Sequence, residues 1–277
     1  MTGTRDAPDR YGVMGYPVSH SRSPVIHRLF ATQTGQNMTY ELLEVAPQEL
    51  EHAIRTFQRQ GGRGLNITLP HKSEVARLVD ELSEAASTAG AVNTLSIGPE
   101  RILGDNTDGT GLVRDLTVNE EIPLRGSRIL ILGAGGATRG IMAPLLEEEP
   151  AAITIANRTL SKATALAGHF GSQGRVAACR FDELGPETPV DLIINATSAG
   201  VKGEDMPFPA AVIGAATICY DLSYGSGETP FTRWATEHGA ARSITGWGML
   251  VEQAAESFRI WRGVRPETAP ILNRVPR

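Results

Sequence analysis

Along Tyr11–Asp108, short apolar runs alternate with stretches whose apolar residues recur every three or four positions. Tyr11–Tyr16, Thr39–Val45, Gly64–Thr68 and Ala91–Ile97 read as strands. Pro24–Gln33, Pro47–Gln60 and Pro70–Asp80 read as helices, each with proline near its first turn, where a missing N–H costs nothing. The resulting β-α-β-α-β-α-β order predicts a mostly parallel sheet with helices on its faces. A second series begins near Ser127. Arg128–Gly133 (RILILG) is an unbroken apolar run ending in glycine, followed by a helix to about Glu147. Ile153–Ala156, Arg175–Arg180, Asp191–Asn195 and Thr217–Leu222 read as further strands, Ser161–His169 as a helix, and Met249–Arg262 as a long amphipathic helix. The fold class is therefore α/β with two α/β domains.

Length agrees with that division, since 277 residues suit two domains. The boundary falls near Asp108–Leu124, where no Gly/Ser linker occurs and Thr110–Asn119 reads as a helix. Lys plus Arg number 26 against 31 Asp plus Glu, a net charge of −5. Such a chain has no bulk attraction for nucleic acid or an anionic membrane. The longest mostly apolar run, Pro209–Tyr220, is well short of the ~20 residues of a membrane helix. The opening MTGTRDAPDR lacks an apolar signal core and reads as a short tail, so a cytoplasmic protein is expected. Cys179 and Cys219 lie outside any C-x-x-C and are expected as buried reduced thiols. No metal site is expected, because H-E-x-x-H and Cys₂His₂ patterns are missing, and His20, His27 and His71 read as packing or surface residues.

The turn Gly133-Ala134-Gly135-Gly136-Ala137-Thr138 follows a strand and opens a helix. Gly133 permits a tight turn, and Gly135 lets backbone N–H groups approach a pyrophosphate at the helix N-terminus. The third glycine of G-x-G-x-x-G is replaced by Thr138. At the end of the next strand, where a carboxylate would hold a ribose 2′-hydroxyl, stand Asn157, Arg158 and Thr159, with Lys162 one turn later. Two cations and no carboxylate suit a 2′-phosphate, which favours NADP over NAD. The plain alternative is a helix start capped by Asn157 or Thr159.

In the first half, Ser21-Arg22-Ser23-Pro24 precedes a predicted helix. Ser23 is placed to cap it with Pro24 at its first position, and two hydroxyls at a helix start also suit an anion. Asn66 and Thr68 are two apart and share one side of a strand. Lys72 falls in the first turn of the next helix, where it opposes the helix dipole. Gly104-Asp105-Asn106-Thr107-Asp108-Gly109 looks like a calcium loop, but the twelfth position is Leu116. Asp108 reads either as the cap of Thr110–Asn119 or as a functional carboxylate at the domain junction.

Together these segments resemble the shikimate dehydrogenase family. Eight motifs carry the likeness in the family's order: Ser21-Arg-Ser23-Pro, Asn66-x-Thr68-x-Pro-x-Lys72, Ala89-Gly-Ala-Val-Asn93-Thr, Gly104-Asp-Asn-Thr-Asp108-Gly, Gly133-Ala134-Gly135-Gly136-Ala137, Asn157-Arg158-Thr159, Asn195-Ala-Thr197-Ser198 and Gly246-x-Gly-Met249-Leu-x-x-Gln253-Ala. They span about Tyr11 to Pro270. The resemblance implies reduction of 3-dehydroshikimate to shikimate by NADPH. It implies a substrate-binding domain of residues 1–109 plus 246–277, to which the C-terminal helix returns, and a Rossmann-type, doubly wound NADP-binding domain of residues 110–245. By the same likeness Ser21 and Ser23 hold the substrate carboxylate, with Tyr224 nearby. Asn66, Thr68, Asn93 and Gln253 hold ring hydroxyls, and Lys72 and Asp108 are the proton-transfer pair. Gly133–Ala137, Asn157–Thr159, Lys162, Thr197 and Ser198 bind the cofactor, with Gly246 and Met249 lining its nicotinamide pocket. A homodimer is among the expectations; nucleic-acid and membrane partners are not. The rival readings are an NAD-dependent quinate/shikimate dehydrogenase, which Arg158 and Lys162 oppose, and a silent cofactor-binding regulator, which Lys72 and Asp108 oppose.

Overall fold

The computed structural model describes residues 7–186, 190–197, 199, 206–225 and 227–273. The first six residues and Ser198 lie outside the described residues. The chain forms two compact units. One runs to Asp108 and is completed by Val251–Ile271; the other comprises Gly109–Leu250 and the residues from Leu272 on.

The first unit contains β1 (Asp9–Gly15), α1 (Ser23–Thr34), β2 (Met38–Glu44), α2 (Leu50–Arg59), β3 (Gly62–Ile67), α3 (Lys72–Val75), β4 (Glu81–Leu82), α4 (Glu84–Ala89), β5 (Thr94–Ile97) and β6 (Ile102–Asp105). Its six strands are ordered β2-β1-β3-β5-β6-β4. β1 runs parallel to β2 and β3, whereas β5 is antiparallel to both β3 and β6. The alternating pattern did not reveal this reversal. A turn closed by Gly98 N–H on the Arg101 carbonyl at 2.9 Å joins β5 to β6, and so short a link permits only an antiparallel pair. The helix expected over Pro70–Asp80 shrinks to α3, because Asp80 is drawn to β6: its carboxylate accepts from Ile102 N at 2.7 Å.

One core of this unit joins Met14, Leu65, Ile67, Leu95 and Ile102 to Leu50, Ile54 and Phe57 of α2. A separate aromatic cluster contains Phe30, Tyr40, Phe258 and Trp261 around His27, which stacks on Tyr40 with centroids 4.2 Å apart and planes 8° apart. His27 is fully buried, and burial lowers its pKa to about 3.

The second unit contains α5 (Asp108–Arg114), which begins at the division, then β7 (Arg128–Leu132), α6 (Gly136–Glu147), β8 (Ala152–Ala156), α7 (Leu160–Phe170), β9 (Val176–Cys179), β10 (Leu192–Asn195), β11 (Ile218–Asp221), α8 (Pro230–Glu237) and β12 (Arg242–Thr245). Its six strands are all parallel, ordered β12-β11-β10-β7-β8-β9. Alternate β7 residues enter different cores: Ile129 and Ile131 pack with Ile141 and Leu145 of α6, Leu130 and Leu132 with Phe231 of α8. That is why Ile129–Leu132 carries no polar position. The second division falls inside α9 (Trp247–Arg262), which α10 (Ala269–Leu272) follows. Cys219 is buried and its thiol is pushed up to about 12, while Cys179 is only half-buried. Among the described residues no helix is long and apolar enough to cross a membrane.

His27 makes stability depend on pH. An unfolded histidine protonates near 6.5, whereas folded His27 stays neutral down to about 3. Between those values the unfolded chain binds more protons, so stability falls as pH drops, by up to about 1.4 kcal/mol per unit. His27→Phe should flatten melting temperature against pH between pH 6.5 and 3; an unchanged slope would show that His27 has no part in it.

Candidate active site

Lys72 opens α3 and points its ammonium at Asp108, the first residue of α5: Nζ donates to Oδ2 at 2.6 Å. The two side chains are 17% and 6% exposed, so the pair is shielded from water screening. The Asp108 carboxylate is not a helix cap. Its other oxygen accepts from Asn93 Nδ2 at 2.8 Å, while Asp108 N donates to Asn106 Oδ1 at 3.1 Å. Asn106 Nδ2 in turn donates to the Ala91 carbonyl at 2.9 Å, tying the Gly104–Gly109 loop to the Ala89–Thr94 turn. Asp105 accepts from Ser83 and Asn106, each at 2.7 Å, which accounts for the acidic loop without calcium.

The structure joins Asn66, Lys72, Asn93, Asp108 and Gln253 in one network. Asn93 Nδ2 reaches Gln253 Oε1 at 3.3 Å, and Asn66 Nδ2 reaches the Asn93 carbonyl at 3.2 Å. Asn66 sits beneath the surface, 6% exposed, with Tyr40 OH donating to its Oδ1 at 2.7 Å. Thr68 lies one residue past β3, half-buried. Ser23 does not cap α1. It is the helix's first residue, Arg22 precedes it as the cap position, and no side chain caps that end. Ser21 Oγ instead donates to Ser23 Oγ at 3.2 Å and accepts from Ser23 N at 3.3 Å. The hydroxyls therefore pair beside a helix start that no side chain caps, an arrangement that suits an anion. Tyr224 is half-buried and belongs to the second unit.

In the second unit, Gly133 adopts φ 104°, and a Cβ there would sit 3.0 Å from Thr197 Cγ2. Gly135 is the cap of α6 without any side-chain cap, and a Cβ on it would meet nothing within 4 Å. Thr138 takes the third glycine's place productively: buried, it donates from Oγ1 to the Gly133 carbonyl at 2.9 Å and closes the turn. A cavity of about 360 Å³ runs from Gly133–Gly135 past Thr197 to Asn157, Arg158, Thr159 and Lys162. Neither Asn157 nor Thr159 caps α7 through its side chain; Asn157 Nδ2 donates to the Thr159 carbonyl at 2.9 Å. Uncapped helix N–H groups at one end and two cations at the other fit a dinucleotide with a phosphorylated ribose. Gly136 and Ala137 form the first turn of α6.

Comparison with known proteins agrees with this arrangement. The family models "Shikimate dehydrogenase substrate binding domain", "Shikimate / quinate 5-dehydrogenase" and "Shikimate 5'-dehydrogenase C-terminal domain" match residues 13–95, 117–202 and 246–275. The "Shikimate dehydrogenase (NADP(+))" of Alkalilimnicola ehrlichii is 54% identical, over 95% of this chain and 97% of its own. The chain belongs to the shikimate dehydrogenase family. Among solved structures, an Ael1 enzyme from Pseudomonas putida superposes with a TM-score of 0.90 at 44% identity, covering 97% of this chain and 98% of that one. Shikimate 5-dehydrogenase from Thermus thermophilus, solved with NADP(H) and shikimate, gives 0.84 at 34% identity, covering 94% and 96%.

Around the family motif at the start of α9, the structure joins Gly248 and Met249 to Tyr220 and Asp115, which sequence reasoning missed. Gly246 abuts the Leu222 carbonyl, 2.5 Å from where a Cβ would stand. Met249 packs in a core of the second unit, and its N–H donates to Tyr220 OH at 3.3 Å. Tyr220 OH donates to Asp115 Oδ2 at 2.6 Å, and burial beside Asp115 raises the phenol pKa well above its usual value. A Cβ on Gly248 would land on that carboxylate. Gly248→Ala should therefore displace Asp115 and destabilise the protein by about 3 kcal/mol, through overpacking and a broken buried hydrogen bond; an unchanged thermal unfolding curve would contradict this.

Proposed function

We propose that this enzyme catalyses the reversible NADPH-dependent reduction of 3-dehydroshikimate to shikimate. The observation that carries the reading is the shielded Lys72–Asp108 pair at 2.6 Å, set in the family's own motifs. The relatives' names supply the substrate and the cofactor. NADPH, when bound, supplies the reducing equivalent. Lys72 Nζ gives a proton to the substrate oxygen as negative charge develops there, and Asp108 Oδ2 holds the ammonium in place through another of its N–H bonds. The paired hydroxyls of Ser21 and Ser23 accommodate the carboxylate, with Tyr224 as a further contributor. Thr68, Asn93 and Gln253 serve the ring hydroxyls, since a polar shell left unpaired by a deoxygenated analogue gives selectivity. Arg158 and Lys162 take the 2′-phosphate, the Gly133–Ala137 turn the pyrophosphate, Asn157, Thr159 and Thr197 the adjoining cofactor surface, and Gly246 and Met249 the nicotinamide side. A cytoplasmic location and a homodimer complete the proposal.

The direct test is NADPH absorbance with 3-dehydroshikimate; no turnover at saturating substrate would reject the assignment. Lys72→Ala should lower kcat by about 10²–10⁴-fold with a much smaller change in KM. A wild-type kcat would leave Lys72 outside proton transfer. Arg158→Ala should weaken NADP binding by on the order of tenfold or more and NAD binding little, as expected for a lost charge-assisted bond. Equal loss for both cofactors would remove Arg158 from the phosphate site.

A further inference from the structure

Behind Asp108 lies a run of buried polar side chains that joins Asn66 and Asn93 to Thr94 and Ser257, two hydroxyls with no assigned contact to substrate. Thr94 and Ser257 are each 0% exposed, and Asn66 and Asn93 are nearly so. Their hydrogen-bond directions follow from backbone groups, because a backbone N–H can only donate and a carbonyl can only accept. Thr107 N–H reaches Asn93 Oδ1 at 2.9 Å, so that atom is the amide oxygen and Nδ2 faces Asp108. Asn66 Nδ2 reaches the Asn93 carbonyl at 3.2 Å, so Asn66 Oδ1 faces Tyr40, whose hydroxyl must donate.

The Thr94 hydroxyl is then determined. Thr94 Oγ1 lies 2.9 Å from Asn93 Oδ1, which has no hydrogen to give, so Thr94 donates there. Its oxygen accepts from Asn66 Nδ2 at 3.3 Å and lies 2.7 Å from Ser257 Oγ, whose hydrogen also reaches the Gln253 carbonyl at 3.1 Å. Ser257 in turn accepts from Asn66 Nδ2 at 3.0 Å. The links read Tyr40 to Asn66, Thr94, Asn93 and finally Asp108, each donating toward the carboxylate, with Ser257 bridging Asn66 and Thr94. Bonds aligned in one sense polarise one another in a low-dielectric interior. The two amides interrupt any proton relay, so the chain orders groups and does not conduct protons. The far end is held by the stacking of Tyr40 on buried His27 at 4.2 Å.

We infer that Tyr40, Ser257 and Thr94 are positioning residues that, through Asn66, fix the Asn93 amide and thereby aim the Asp108 carboxylate at Lys72. The inference rests on the Lys72–Asp108 pair being the reactive one. Small displacements of a reactive group are costly in rate, so loss of a link lowers turnover more than it lowers binding.

The test compares Thr94→Val and Tyr40→Phe in wild-type and Asp108→Ala backgrounds, with steady-state kinetics, NADP affinity and thermal unfolding on each. Thr94→Val should lower kcat about tenfold, with KM for 3-dehydroshikimate within about twofold and NADP affinity unchanged. Tyr40→Phe, at the half-buried end of the chain, should act in the same sense by about threefold, and it carries the comparison if Thr94→Val folds poorly. In the Asp108→Ala background neither substitution should cost anything further. The same fold-loss in both backgrounds, or a drop in melting temperature with kcat unchanged, would overturn the inference. Wild-type turnover of 3-dehydroshikimate reports separately on the activity itself.

Discussion

A carboxylate with only 6% of its side chain open to water needs protein donors in place of solvent, and Asp108 has two. Lys72 approaches one oxygen and Asn93 the other, each arriving from a different connection of the first unit. Lys72 is held because its own carbonyl accepts from Val92 N at 2.8 Å, one residue before Asn93. The position of the pair thus depends on a loop-to-loop weld, and much of the buried polarity of this unit serves that weld. The arrangement is demanding, since removing one partner leaves the other charge or amide buried and unsatisfied.

The second unit was the more legible from sequence, for a physical reason. Parallel strands covered on both faces carry few polar positions, so the Ile129–Leu132 run declares itself, and the glycines after it have no competing explanation in a strand-to-helix turn. β12 and α8 were not read, because Arg242–Thr245 is a four-residue edge strand of mixed polarity and α8 shows little beyond its Thr229–Pro230 start. In the first unit β5 was read within Ala91–Ile97, whereas β4 and β6, two and four residues long, are too short for alternation to register. Direction was equally hidden, since pattern reports which faces are buried and not which way a strand runs.

At the site, residue types in order announced Lys72, Asp108, Asn93 and Gln253, whereas their supports were silent. Ser257 and Thr94 are 163 positions apart, and nothing in either local context hints at the other. Asp115 and Tyr220, 105 apart, are the same case. Thr138 shows how a departure from a motif resolves only in three dimensions: its hydroxyl makes the bond that closes the turn. Ser23 shows the opposite, a residue whose expected cap role disappears because the helix begins one position early.

The first unit is not contiguous in the chain, and this sets an order on its birth. Val251–Ile271 supplies Ser257, Phe258 and Trp261, whose indole donates to the Leu95 carbonyl at 3.0 Å. Roughly 140 residues separate Asp108 from Val251. At about 5–20 residues per second, the ribosome needs on the order of 10–30 seconds to deliver them. During that interval, while the strands of the second unit are themselves being made, Leu95, Phe30 and His27 lack the helix that seals them. A nascent chain of this enzyme therefore presents an unsealed aromatic surface for many seconds, the kind of surface that chaperones meet.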